Sequence, residues 1–289
     1  MSYFVNLFIY LNVYAVLALS LNLVTGYTGL VNLAHAAFFG VGAYVASMAM
    51  IHFGWGFLPA TGIAIAAAAI LSLAISLPSL RFASSYFVIS SLAVQTLTFS
   101  ILYNWTDVTH GPYGLSEIPR PRFFGWEASS LGGMALVSAI AAVVCGLILY
   151  GVLRSPWGRL LEAIRDDELA ARGLGKRARV AKIQANAIAC GMAAVAGSLY
   201  ASYVGFIDPT TFTLEESILL LSMVLIGGTG NVRGPIVGAA VMLGIRESLR
   251  FLDIPDPMAP HLRAMAYGLL LVVIAHKRPQ GIAGKYRFR

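Results

Sequence analysis

The first basic residue of this chain is Arg81, and no acidic residue precedes it. Soluble domains carry about 25% charged residues. This chain carries 11%, with 58% apolar residues and a mean hydropathy of +0.77. A bilayer-spanning helix needs roughly 20 mainly apolar residues. Apolar runs near that length predict segments at 4–24, 29–51, 58–77, 85–103, 131–153, 181–204, 214–227, 234–252 and 262–276. The expectation is an all-α polytopic membrane protein with about nine transmembrane segments, in a range of eight to ten. The seventh is short, and glycines and polar residues inside the second leave room for an interruption. A membrane β-barrel would show ~10-residue alternating strands, which this pattern lacks.

The net charge of +7 is spread over loops that flank the apolar segments. There, positive charge sets orientation and attracts anionic lipid; it is no sign of nucleic-acid binding. Cys145 and Cys190 stand alone inside apolar segments. They read as packing residues, not as a disulfide or a redox pair. The N-terminal run lacks a basic region and is too long for a signal-peptide core, so it reads as a retained first span.

Residues 154–182 hold Arg154, Arg159, Arg165, Arg172, Lys176, Arg177, Arg179 and Lys182. The C-terminal tail holds Lys277, Arg278, Lys285, Arg287 and Arg289. The bias of Lys and Arg toward the cytoplasm places both inside. An even number of predicted segments separates them, so the two assignments agree. Counting back puts 104–130 and the N-terminus outside. The outer loop at 253–261 fits less well, because Arg246, Arg250 and Arg263 flank it. Loop 104–130 is rich in Gly, Pro and aromatics. It reads either as a lid over helix ends or as part of a docking surface.

Within 154–182, the run RLLEAIRDDELAAR at 159–172 predicts one short amphipathic helix, too polar to span, ended by Gly173 and Gly175. A solvated connector, a helix on the membrane surface and a docking helix for a partner all remain open. The acids count against the surface helix, since such helices favour a basic polar face. The segment GLGK at 173–176 lacks the spacing and the Ser/Thr of a phosphate loop. With no nucleotide site in the sequence, energy from ATP would have to arrive through another subunit.

Ala185, Ala189, Ala193, Gly197 and Ala201 recur every four residues, and Gly230, Gly234 and Gly238 repeat the device. Small residues on one face let helices approach closely. Gly227 and Gly228 precede that break and Pro235 starts the next helix, so this region is a candidate for packing or a hinge. Polar residues inside spans are expensive and often functional: Asn22, Asn32, His35, Gln95 and Asn186 qualify. His35 lines a route or bonds a neighbouring helix. No second ligand lies at three or four residues from it, so no metal is expected. Nor is any cofactor.

Several collinear blocks then resemble a known family. GYTGLVNLAHAAFFGVGAY at 26–44 is similar to the second-helix signature of the branched-chain amino acid ABC importer permeases. LRFASSYFVISSLAVQTL at 80–97 and NWTDVTHGPYGLSEIP at 104–119 resemble the LivM-type subunit. GRLLEAIRDDELAARGLG at 158–175 is similar to the loop that contacts the ATPase. The block at 198–241 also matches. The resemblance implies a single transmembrane permease domain over 1–289 with the ABC importer permease fold, in the bacterial cytoplasmic (inner) membrane. Implied partners are a LivH-type second permease, two cytoplasmic ATPase subunits and a periplasmic or lipid-anchored solute-binding protein. The permease itself would do no covalent chemistry. The loop 154–182 would hold the coupling helix, with Glu162, Ala163, Arg165, Asp166, Glu168 and Gly175 as coupling residues. Candidate pathway residues are Asn32, His35, Tyr86, Gln95 and Glu215. The chain departs from relatives in having Ala34 before the histidine and no acid at Gln95–Thr96. An ion-gradient-driven transporter is the alternative; it would want ionisable groups at the midplane, and His35 is nearly alone there. An intramembrane hydrolase would need a paired nucleophile and base, and no spacing offers one.

Overall fold

The computed structural model describes residues 2–79, 84–123, 126–250, 265, 268, 269, 272, 273 and 281–283. Among them run the helices α1 (Ser2–Thr28), α2 (His35–Phe53), α3 (Phe57–Ser79), α4 (Ser84–Asn104), α5 (Thr106–Thr109) and α6 (Leu131–Arg154). They are followed by α7 (Pro156–Asp166), α8 (Glu168–Gly173), α9 (Ala178–Val204), α10 (Leu214–Gly227) and α11 (Arg233–Arg250). The expected ninth segment at 262–276 and the loop at 253–261 lie largely or wholly outside the described residues. Among the described residues, six helices are long and apolar enough to cross a membrane: α1, α2, α3, α4, α6 and α9. A count of nine spans is therefore not established. α10 has only 14 residues, and α11 carries Arg233, Arg246, Glu247 and Arg250.

Helix α1 is the central post. It is apolar all round, as a helix surrounded by protein must be, and every residue from Val13 to Thr28 is buried. It packs against α6, α9, α10 and α11. Helices α2 and α3 pack on α9 through its small-residue face. A Cβ placed on Gly197 would stand 2.2 Å from Phe39 O, so only glycine permits this approach. Helix α6 instead exposes Leu136, Ile140, Val143, Leu147 and Ile148 along its length.

The two ends of the bundle differ. At one end gather the C-termini of α1 and α6, the N-terminus of α9, and α7. At the other, Leu115 in the 104–130 loop pairs with Ile207 beyond the end of α9, with N–O distances of 2.8 and 3.0 Å. That loop also holds α5, a 3-10 turn at Gly111–Tyr113 and a two-strand hairpin, β1 (Arg122–Phe123) with β2 (Trp126–Glu127).

Two sequence expectations are corrected. The second helix does not start at 29: residues 29–34 are non-helical, with Gly29 at φ 71°, and α2 begins at His35. The charged run is not one helix over 159–172. It starts at Pro156 under a Ser155 cap and breaks at Asp167, whose backbone is extended. The Asp167 side chain accepts from Ala170 N at 2.9 Å and so caps α8. Asp offers the backbone that alternative wherever the local packing does not forbid it.

Candidate functional site

Two features at the α7 end stand out: an amphipathic lever and a break in the membrane helices. In the lever, Leu161 and Ile164 of α7 are buried against α1, α6 and α9. The opposite face leaves Ala163, Asp166, Leu169, Ala170, Leu174 and Gly175 exposed. Arg165 reaches inward: its Nη1 donates to Gly26 O, at the C-terminal end of α1, at 2.7 Å. That carbonyl is among those a helix end leaves without an internal partner, and a guanidinium is well placed to hold it. Arg165 also pairs with Asp166 at 3.1 Å. Glu162 is half-buried. Glu168 pairs with Arg172 at 2.5 Å and with Lys182 of α9 at 2.6 Å. Partial burial alone would raise its pKa, but the hydrogen bond and charge of Lys182, together with Arg172, outweigh it and hold the carboxyl below the usual value.

The break at 29–34 lies inside the bundle. His35 Nε2 is 2.7 Å from Ser20 Oγ, and Ser20 precedes the end of α1 by enough turns to place the start of α2 about 12 Å short of that end. A helix N-terminus leaves N–H groups unpartnered, and in a bilayer each costs several kcal/mol. Here side chains remote in sequence supply the acceptors. Ala36 N donates to Ser217 Oγ at 2.9 Å and Ala37 N to Gln95 Oε1 at 2.9 Å. Ala34 N donates to Asn32 Oδ1 at 2.8 Å and Leu33 N to Ser91 Oγ at 3.0 Å. Asn32 Nδ2 donates to Asn186 Oδ1 at 3.0 Å, and Asn186 Nδ2 to Ser76 Oγ at 2.9 Å. Gln95 completes its amide by donating to Phe212 O at 2.9 Å.

The pathway candidates thus divide. Asn32, His35 and Gln95 come together at the start of α2, fully buried. Ser20 Oγ donates to Leu17 O, which leaves it to accept His35 Nε2–H; His35 Nδ1 has no hydrogen-bond partner among the described residues. Tyr86 is exposed on α4, and Glu215 is exposed in the first turn of α10. Sequence reasoning missed Glu216, whose carboxylate accepts from Tyr14 Oη at 2.6 Å, with Arg246 Nη1 at 3.4 Å from the same hydroxyl. Its signal is an acid at the start of an apolar run, which it shares with the neighbouring Glu215. Lys182 and Ser217 were also missed. Among the described residues no group of three His, Cys, Asp or Glu gathers to hold a metal ion.

The glycine candidates lie at the turn between α10 and α11. A Cβ on Gly227 would stand 2.0 Å from Gly234 O, and one on Gly238 would stand 1.8 Å from Met223 O. Gly228 and Gly230 have φ of 104° and 79°. Asn22 of α1 ties into this turn, donating to Asn231 O at 2.8 Å. Pro235 is buried in the first turn of α11.

Comparison with known proteins gives a consistent picture. The family described as branched-chain amino acid transport system / permease component matches residues 3–275. The high-affinity branched-chain amino acid transport permease LivM of Escherichia coli K12 is 33% identical over 93% of this chain and 67% of its own length. A LivM-type permease of Methanocaldococcus jannaschii is 27% identical over 95% of this chain and 91% of its own. The autoinducer 2 import permease LsrC of Salmonella typhi is 32% identical over 58% of this chain and 48% of its own length. Among solved structures, an inward-facing metal-chelate-type ABC transporter superposes with a TM-score of 0.51 at 20% identity. It covers 95% of this chain and 87% of its own, which shows the ABC permease fold. With its apolar spans, this makes the molecule a multi-pass protein of the inner membrane. The chain belongs to the branched-chain amino acid transport system permease family and is a permease subunit of an ABC importer.

Proposed function

We propose that this subunit moves branched-chain or other hydrophobic amino acids, or related small solutes, inward as one half of a pore. A LivH-type permease forms the other half. Two ATPase subunits at the cytoplasmic face hydrolyse the ATP, and a solute-binding protein delivers cargo to the outer face, which includes 104–130. In this reading 154–182 is cytoplasmic and α7–α8 is the coupling element. The observation that carries it is the two-faced lever. Leu161 and Ile164 lock it to the bundle, while Ala163, Asp166, Leu169 and Ala170 stay exposed. A solvated connector has no reason to keep Leu169 78% exposed beside two small residues; a groove in a partner gives one. Glu162, Arg165, Glu168 and Gly175 shape and anchor this face. The solute passes near the start of α2, with Asn32, His35 and Gln95 inside and Tyr86 and Glu215 at exposed positions. Glycines 197, 227, 228, 230, 234 and 238, with Pro235, form the packing and hinge region.

A Leu169→Glu variant tests the lever. It leaves the buried face untouched, so insertion and thermal stability should be unchanged. Co-purification of the ATPase and ATP-driven uptake in proteoliposomes should fall at least about tenfold, the loss expected for a 1.4 kcal/mol anchor. Full uptake with the ATPase still bound would remove the coupling role from α8.

A further inference from the structure

We propose that the lever acts on the break at 29–34, and that Lys182 and Asn186 are the positioning residues that connect the two. The inference rests on the coupling role given to α7–α8. Two tethers run from the lever to the two ends of this one segment. The first is Arg165, which holds Gly26 O at 2.7 Å just before the break. A Cβ on Gly29 would touch Arg165 Cγ at 3.4 Å, so the guanidinium stem lies along the first residue of the break itself. The second runs through α9. Glu168 of α8 binds Lys182 at 2.6 Å. Asn186 lies four residues on, hence one turn along the same face. Asn186 accepts from Asn32 at 3.0 Å, and Asn32 in turn caps Ala34 N at 2.8 Å. Lys182 and Asn186 are both buried.

The segment between the tethers is well suited to being reset. A continuous helix holds its N–H groups through its own ladder, and shifting it moves the whole rod. The N–H groups of Leu33, Ala34, Ala36 and Ala37 are instead bonded by Ser91, Asn32, Ser217 and Gln95, and side-chain rotation releases or re-forms those bonds without breaking a helix. A displacement of α7–α8 that pulls on Gly26 and on Asn32 therefore alters how the start of α2 is capped. That start is where His35 and Gln95 sit.

The assembled transporter in nanodiscs, with both permeases and both ATPases, provides the test. Amide hydrogen exchange is compared with and without a non-hydrolysable ATP analogue. In the wild type, nucleotide should change protection at 159–173 and also at 30–37, the latter about fivefold or more for a coupling of ordinary strength. Lys182→Met and Asn186→Leu should keep the change at 159–173 and lose it at 30–37, and Lys182→Arg should restore it. Lys182→Met leaves the Asn32–Asn186–Ser76 chain intact, so it decides the matter even if Asn186→Leu fails to fold. A nucleotide response at 159–173 with none at 30–37, or a full response at 30–37 in Lys182→Met, overturns the inference and leaves the lever standing. If 159–173 does not respond, the lever reading fails and this inference falls with it.

Discussion

Among the described residues, the helices are interrupted inside the bundle at 29–34 and at 227–238, and the balance of what holds the two differs. At 29–34 the backbone is held by side chains: Asn32, Ser91, Gln95 and Ser217 supply the acceptors. At 227–238 close contact dominates, with glycine backbones nearer than any Cβ allows, and bonds from Asn22 and Asn231 are added to it. The first device is graded, since each hydrogen bond is worth about 0.5–1.5 kcal/mol net and can be removed one at a time. The second is all or nothing, because a close-packed crossing has no room to yield. One is suited to changing state and the other to staying fixed.

The largest expected effect tests the fixed crossing. Gly238→Val would place a Cβ 1.8 Å from Met223 O, backbone against backbone. The helices must separate, at a cost of more than about 4 kcal/mol, the range of severe core lesions. The variant should yield little monodisperse protein on size exclusion in detergent. A Gly238→Val subunit that melts at the wild-type temperature would erase the contrast between the two interruptions.

At the break, Gln95→Leu conserves bulk but strands Phe212 O, leaves Ala37 N–H only its backbone acceptor Ala34 O, and removes an acceptor from Ser217, which lies 3.2 Å from Gln95 Oε1. Each stranded buried group costs about 1–3 kcal/mol, so the loss should be measurable without being total. Gln95→Glu retains an acceptor for Ala37 N but places a carboxyl in a fully buried site beside Phe212 O, where its charged form is costly. Both variants should melt below wild type, Gln95→Leu through the stranded Phe212 O and Gln95→Glu through its buried carboxyl. Equal melting in all three would mean that the cap contributes nothing and the break is held by packing, as the crossing is.

How much of this the sequence displays follows the length scale of the interaction. Hydropathy sums over some 20 residues, so it locates 131–153 and 181–204 to within a few residues of α6 and α9. The family blocks likewise point to the importer permeases. Hydropathy does not place the break, although the glycines and polar residues of the second segment left room for one. GLVNLA continues an apolar run, and what ends the helix there is a set of acceptors from α4 and α10, remote in sequence. Glu216 was passed over for Glu215 because adjacent helical residues face about 100° apart, and only the position of Tyr14 on α1 decides which one turns inward. In 159–172 the i,i+4 pairs argued for a continuous helix; the competing cap from Asp167 was one of two adjacent acids, and spacing does not say which acts.

Acid separates the two interruptions most gently. Glu168 has a carboxyl held below its ordinary value of 4.5, with burial opposing and Lys182 and Arg172 prevailing. A depressed carboxyl contributes stability that is complete above the unfolded value and lost as pH falls through the folded one. The tether from α8 to α9 should therefore be constant from pH 8 down to about 5 and loosen only below the ordinary carboxylate range. Amide protection at 168–173 should report that profile, and Glu168→Gln should show the loosened level at every pH. The effect is small, because Glu168 is partly solvated and screening weakens such pairs. Among the described residues, no carboxylate stands in the nearest contacts of Gly227, Gly234 and Gly238, so the protection of this crossing should not follow the same curve. If both regions lose protection together in acid, with Glu168→Gln matching wild type throughout, then the lever end is held by packing as well, and the graded half of the contrast shrinks to the caps on α2 alone.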